Sequence, residues 1–377
     1  MRVLVVDTYY PQFLEEHYRN PELEDSSYDE QLAALMARAF GTSDAYSTEL
    51  RRLGHEAEEI IVNAMPLQEA WAREHGMRTS LILGTASRLP TKAGLAAAQA
   101  LKSRIAMAQV EHFSPDVVYC QDLGAFAGRE LAAMRERGIL VAGQIASPAP
   151  DAARLRCFDL ICTSFPHFVE RFRALGIASE YLPIGFDRRL TGRVKERGLD
   201  PATQATRDID VSFVGSVDPR VHPSRVALLE QVCRKRPIAV YGSGIDALPE
   251  ESSIRGCFLG EAWGLSMYEL LARSRITLNR HIDAAEGCAN NMRLYEATGM
   301  GAALLTDNGS NISEIFEPGV EVELYDCADD LIDQIDLLLT DDERRGQIAR
   351  AGRDRTLAEH SYSDVIDGLS GILRDYC

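Results

Sequence analysis

The sequence predicts an α/β protein built from two doubly wound domains. Short apolar, β-branched runs alternate with longer helical patterns, the signature of parallel sheets with helical crossovers, and they do so in two separate series. A charged segment without a period divides the series, and 377 residues suffice for two domains of ordinary size.

In the first series, strands are expected over Val3 to Val6, Glu59 to Val62, Val117 to Cys120, Ile139 to Gln144 and Leu160 to Thr163. Helices are expected over Asp29 to Leu53 and Lys92 to Phe113. The opening run, "RVLVVD", is too short for the apolar stretch of a signal peptide and ends in an acid. After it, "TYYPQFLEEHYRNPELEDSSYDEQ" reads as a long loop carrying Tyr9, Tyr10, Phe13 and Tyr18. Such rings either stack on sugars or pack against one another. Asp122, Gln144 and Ser147 also follow strands, where ligands of open α/β sheets gather.

This first domain is expected over residues 1–187, and "RRLTGRVKERGLDPATQATRD" (188–208) reads as a linker. The second domain, 209–355, holds strand candidates at 210–216, 238–242, 257–260, 276–279, 302–307 and 322–325. From Asp341 the tail reads as two helices broken near His360-Ser361, the first opened by acids that suit a helix N-terminus.

Composition excludes several classes. A net charge of -17 and a pI near 5.0 argue against nucleic-acid binding, which rests on clustered Lys and Arg. No stretch approaches the roughly 20 apolar residues that span a bilayer, so no transmembrane segment is expected. The eight cysteines show neither a C-x-x-C pair nor histidines at zinc spacing, which reads as reduced thiols in a cytoplasmic protein. With no acidic metal motif either, neither an essential metal nor a resident cofactor is expected.

Residues 285–319 place Asn290, Asn291, Arg293 and Glu296 ahead of a buried-looking strand. At the start of a helix that follows strand "ITLN", this polarity falls on the rim where helix N-termini bind anions. Arg293 can add charge-assisted hydrogen bonds to phosphate, and the Glu296 carboxylate suits a vicinal diol such as ribose. The alternative is an Asn cap and a surface Arg293–Glu296 pair worth about 0.2–0.5 kcal/mol. Asn311 and Glu314 have capping-box spacing.

Upstream, "VSFVGSVDPRVHPSR" reads as a strand, a turn at Gly215 and Ser216, and a helix start, with Arg220 and Arg225 as phosphate ligands and Arg225 preferred. His281 follows a strand end. Gly242, Gly244 and Ala247, after a strand, fit a dinucleotide fingerprint, but Pro249 opposes the helix that must follow, so a loop bordering a nucleotide base is expected rather than an NAD site.

"NNMRLYEATGMGAALLTDNGSNISEIFEPGVEVELYD", continued by "ERRGQIARAGRDRTLAEHSYSDVI", resembles the C-terminal domain of the CgeB-type, spore maturation protein-like glycosyltransferases, relatives of the retaining GT-B sugar transferases. The resemblance runs from about Val211 to Val365 and is looser in "CFDLICTSFPHFVERFRALGIASEYLPIGFD". It implies a GT-B fold, two Rossmann-like domains facing a cleft, with residues 356–377 packing back on the first domain. It also implies a nucleoside-diphosphate sugar as co-substrate, held mainly by the second domain.

On that reading Glu296 holds the donor ribose, and the loop from Gly287 to Met292 meets the diphosphate and sugar. Gly215, Ser216, Arg225, Tyr241, Gly242, His281, Asn290, Asn291 and Arg293 complete the donor side. Tyr9, Tyr10 and Gln144 lie on the acceptor side, facing a glycan, lipid-linked or small-molecule acceptor. Cys288 departs from the wider group, which often carries a glutamate eight positions before the ribose-binding one. The implied reaction is a metal-independent, retaining transfer of a sugar to an acceptor hydroxyl; an inverting one needs a general base, for which Asp122 is the candidate. The competing readings are a sugar-nucleotide epimerase or hydrolase, and a non-catalytic nucleotide-sugar-binding protein of envelope assembly.

Overall fold

The computed structural model describes residues 1–77 and 91–377. They form two compact units, Met1–Leu182 with Ile366–Cys377, and Pro183–Val365.

The first unit contains a six-stranded sheet of β1 (Arg2–Asp7), β2 (Glu56–Ile61), β3 (Val117–Cys120), β4 (Leu140–Ile145), β5 (Leu160–Thr163) and β6 (Ser179–Tyr181). Its order is β2-β1-β3-β4-β5-β6 and every pairing is parallel. Helices cover parallel strands on both faces, and β1 accordingly buries Val3 to Val6 completely. The short edge strand β6 has no apolar run and was not expected.

Two readings of this unit change. The segment after β1 is helical, with Pro11–His17, Pro21–Glu24 and Tyr28–Met36 in succession. Pro11 and Pro21 open the first two, and Ser27 forms a capping box with Glu30 ahead of the third. The stretch read as one helix from Asp29 to Leu53 is two, Tyr28–Met36 and Ala45–Arg52, separated where Ala39, Gly41 and Ser43 take positive φ.

The second unit holds β7 (Ile209–Val214), β8 (Ala239–Tyr241), β9 (Ser274–Leu278), β10 (Ala303–Asp307) and β11 (Glu323–Tyr325). They form a parallel sheet of order β11-β10-β9-β7-β8. Val211, Phe213, Ile276, Leu278, Ala303 and Leu305 from the central strands join one core with Leu229 and Val232 of the helix Pro223–Lys235. Residues 257–260 make only a single bridge, Val240 with Phe258, because a 3₁₀ turn precedes them and Gly260 turns the chain at φ 117°.

The segment 188–208 is part of this unit's fold. The helix Arg189–Lys195 buries Leu190 and Val194. Arg207, 3% exposed, donates to the carbonyls of Ser274 at 2.7 Å and Met300 at 2.9 Å. Charge in this sequence therefore marks a buried hydrogen-bonding cation as well as solvated surface. Among the described residues, no helix is long and apolar enough to cross a membrane.

Both sheets reverse their winding beside their first strand. The crevice where ligands gather, beyond the carboxyl ends of strands at such a switch point, lies between β1 and β3 in one unit and between β7 and β9 in the other.

Candidate functional site

At the second unit's switch point, β7 ends in the turn Gly215-Ser216, which is zipped to the loop after β8. Gly215 N–H donates to Tyr241 O at 2.9 Å, and Val217 N–H to Ser243 O at 2.8 Å. A Cβ on Gly242 would stand 2.0 Å from Gly215 O, so only glycine permits this approach. The glycines of "YGSGIDA" thus serve loop packing. Ile245–Ala247 is one 3₁₀ turn and no α-helix starts there, so the dinucleotide fingerprint lacks its helix.

Arg225, in the first turn of Pro223–Lys235, reaches across the switch point. Its guanidinium donates to Ser216 O at 3.2 Å and Arg280 O at 3.1 Å, and lies over the Phe213 ring. Burial, and then the nearby charge of Arg293, lowers its pKa to about 10. Arg220, the other sequence candidate, is exposed and tied to Asp218 at 2.6 Å, a local pair that keeps it out of the site.

Beyond β9, Asn279 is 3% exposed, donating to Thr306 Oγ1 at 2.9 Å and accepting from Asn291 Nδ2 at 2.8 Å. His281 is 7% exposed. Its backbone N–H and its Nδ1 both donate to Asp307 Oδ1, at 2.9 and 2.7 Å, and Arg280 pairs with Asp307 Oδ2 at 3.4 Å. Burial raises the Asp307 carboxyl, but the hydrogen bonds from His281 and the charge of Arg280 outweigh it, leaving it below the usual range. Sequence reasoning missed Asp307; an acid closing the otherwise apolar run "ALLTD" was the available signal.

The helix Met292–Gly299 begins one residue after Asn291, whose side chain caps Leu294 N–H at 3.2 Å. Asn291 is therefore a cap and a tie to Asn279, while the buried Asn290 precedes the helix. Arg293 and Glu296 meet at 2.8 Å with side chains 14% and 7% exposed, so the surface-pair alternative fails. Tyr268 donates to the other Glu296 oxygen at 3.1 Å.

Asn311 does not cap with its side chain; it accepts from Ala289 N–H at 2.6 Å and donates to Ala289 O at 3.2 Å, pinning the loop before the helix. Gly309 permits that contact, since a Cβ there would lie 2.5 Å from Ala289 N. Cys288 faces Ser310 Oγ at 3.8 Å.

Four nitrogens of this constellation, Nε of Arg225, Arg280 and Arg293 and Nε2 of His281, are buried without a partner. Native structures pair nearly all such groups, and an anion is a partner that could satisfy several of these at once. Among the described residues, no group of three or more His, Cys, Asp or Glu is arranged to hold a metal ion.

In the first unit, Tyr9 is 2% exposed and packs against Phe13 and Phe40, so it belongs to the core. Tyr10 is exposed, with one edge on Phe40. Gln144 accepts from Tyr46 at 2.9 Å and Tyr119 at 2.8 Å. Asp122 accepts from Thr8 Oγ1 at 2.7 Å and Gly124 N–H at 2.7 Å, beside Asp7 at the switch point. Burial, with the Asp122 charge adding to it against the Thr8 amide, pushes Asp7 up to about 7. Asp7 was also missed, having been read only as the end of a strand.

Residues 225–370 match the family model described as Glycosyl transferase-like. A sequence search of curated proteins finds no match. Among solved structures the chain is similar to HepE of Anabaena, solved in complex with UDP-glucose, at 13% identity and TM-score 0.60 over 100% of both chains. It is also similar to sucrose-phosphate synthase of Thermosynechococcus elongatus, at 12% identity and TM-score 0.56 over 100% of this chain and 99% of that one. A glycosyltransferase of Rickettsia africae gives 10% identity and TM-score 0.56 over 100% and 98%. The chain therefore has the GT-B fold of two Rossmann-like α/β units, and its residues 225–370 are similar to the Glycosyl transferase-like family.

Proposed function

We propose that the protein transfers a sugar from a nucleoside-diphosphate sugar to an acceptor hydroxyl, as a member of the CgeB-type branch. The observation that carries this reading is the cluster of unpartnered guanidinium and imidazole nitrogens at the β7/β9 switch point. The diphosphate sits against Arg225 and Arg293 and the first-turn amides of Met292–Gly299. Glu296 receives the ribose: each of its oxygens already holds one donor, and a carboxylate has about four lone-pair sites.

Catalysis then consists of stabilising the departing diphosphate with fixed positive charge, which needs neither metal nor protein nucleophile and suits a retaining transfer. The acceptor hydroxyl belongs with the first unit's rim, at Asp122 and Gln144. Free cysteines fit a reducing cytoplasm. HepE was solved with UDP-glucose, which makes a uridine donor the first to try.

Titration calorimetry with UDP, GDP, ADP, CDP and TDP tests the reading. One nucleoside diphosphate is expected to bind, with its affinity reduced tenfold or more in Glu296→Gln. Equal indifference to all five, or binding only of NAD, overturns it.

A further inference from the structure

We propose that His281, held by Asp307, takes up a proton when a diphosphate binds at the β7/β9 switch point and donates a hydrogen bond to it from Nε2, making donor binding proton-linked. The inference rests on the donor reading above and assigns a role to a pair that this reading does not require.

Three facts support it. The ring is oriented before any ligand arrives, because Nδ1 and the backbone N–H of His281 converge on one oxygen of Asp307. A carboxylate accepts only, so Nδ1 carries the hydrogen, and in the neutral ring Nε2 is a bare acceptor. That nitrogen is buried and has no partner.

The surrounding charges decide when the second proton arrives. Arg280 lies on the same loop, and Arg225 donates to the carbonyl of residue 280. Arg293 is close enough to lower Arg225, and Asp283 and Asp307 lie near enough to raise it. Tyr325 donates to Asn279 O and stays protonated, its pKa raised by burial first. His222, lowered to about 4 by burial and then by Arg225, is neutral near pH 7.

The charges around His281 are therefore mostly guanidiniums, with Asp307 the acid at contact distance. A diphosphate reverses this balance, since its oxygens neutralise the guanidiniums and offer an acceptor to the new N–H.

Inorganic pyrophosphate is the probe, because it presents the diphosphate without a base. Calorimetry in two buffers of different ionisation enthalpy measures protons taken up per pyrophosphate bound. Wild type is expected to take up more than His281→Gln at pH 7.5, and to bind roughly tenfold tighter than it at pH 6, a gap that closes toward pH 9. Asp307→Asn is expected to lose part of the same uptake.

Histidine spectra of ¹⁵N-labelled wild type give a readout without mutation: one of the eight rings should pass from the Nδ1–H tautomer to the doubly protonated form on adding pyrophosphate. Equal uptake in wild type and His281→Gln, with no ring changing state, overturns the inference and leaves the anion site standing. Failure of pyrophosphate to bind wild type overturns both.

Discussion

Arg293 and Glu296 illustrate how burial changes the meaning of a residue pair. At helix spacing on a surface they would contribute a few tenths of a kcal/mol; here they form a nearly enclosed ion pair with Tyr268 completing the acceptor side. Removing one member of a buried pair leaves the other charged and desolvated. Arg293→Ala is therefore expected to cost about 3 kcal/mol of stability as well as nucleotide affinity, which denaturant unfolding and calorimetry will separate. Glu296→Gln keeps a partner for Tyr268 and is expected to lose affinity with a smaller loss of stability. The identities of these residues were legible in the sequence, but their burial was not, because it depends on Met267 and Tyr268 arriving from another helix.

At the scale of elements, the loop from Ala285 to Asn291 is held by its neighbours. Asn311 grips both backbone groups of Ala289, Gly309 lets the two loops touch, and Ser310 N–H donates to Gly287 O at 2.8 Å. Asn311→Ala leaves two backbone groups without partners, a cost of about 1–3 kcal/mol. Faster amide exchange across 285–291 and weaker nucleotide binding are expected, with the exchange of β9 and β10 unchanged. Unaltered exchange in the loop would mean that other contacts hold it. The capping-box spacing at Asn311 was visible in sequence, yet the side chain pairs with a loop 22 residues away instead, because that contact satisfies two groups at once.

For the whole molecule, the tail is a structural part of the first unit. Ile366, Leu369 and Leu373 are 0% exposed, Asp367 pairs with Arg52 at 2.8 Å, and Ser370 meets His55 at 2.8 Å. Burying three such side chains contributes roughly 5 kcal/mol or more, comparable with the total stability of a domain. Truncation after Val365 is expected to open 1–182 to limited proteolysis while 183–365 resists; deletion of the exposed Cys377 alone should change neither. The net charge of -17 coexists with a site made of three arginines and a histidine, since net charge describes the average surface and not a crevice.

The sequence by itself determined the two parallel sheets. Strands buried on both faces must be continuous apolar runs, so Val117–Cys120 and Leu160–Thr163 were legible to the residue, as was the helix Lys92–Phe113. Strand β6, half exposed at an edge, carried no such run and was invisible. Only the tertiary structure decided which polar groups are already committed: Asn291 to its cap, Arg220 to Asp218, Tyr9 to its aromatic neighbours. It also brought nitrogens of Arg225, Arg280, Arg293 and His281 that lack partners to one switch point. The reason is that hydrogen-bond partners are chosen among loops that meet in space, and local spacing along the chain does not record which loops those are.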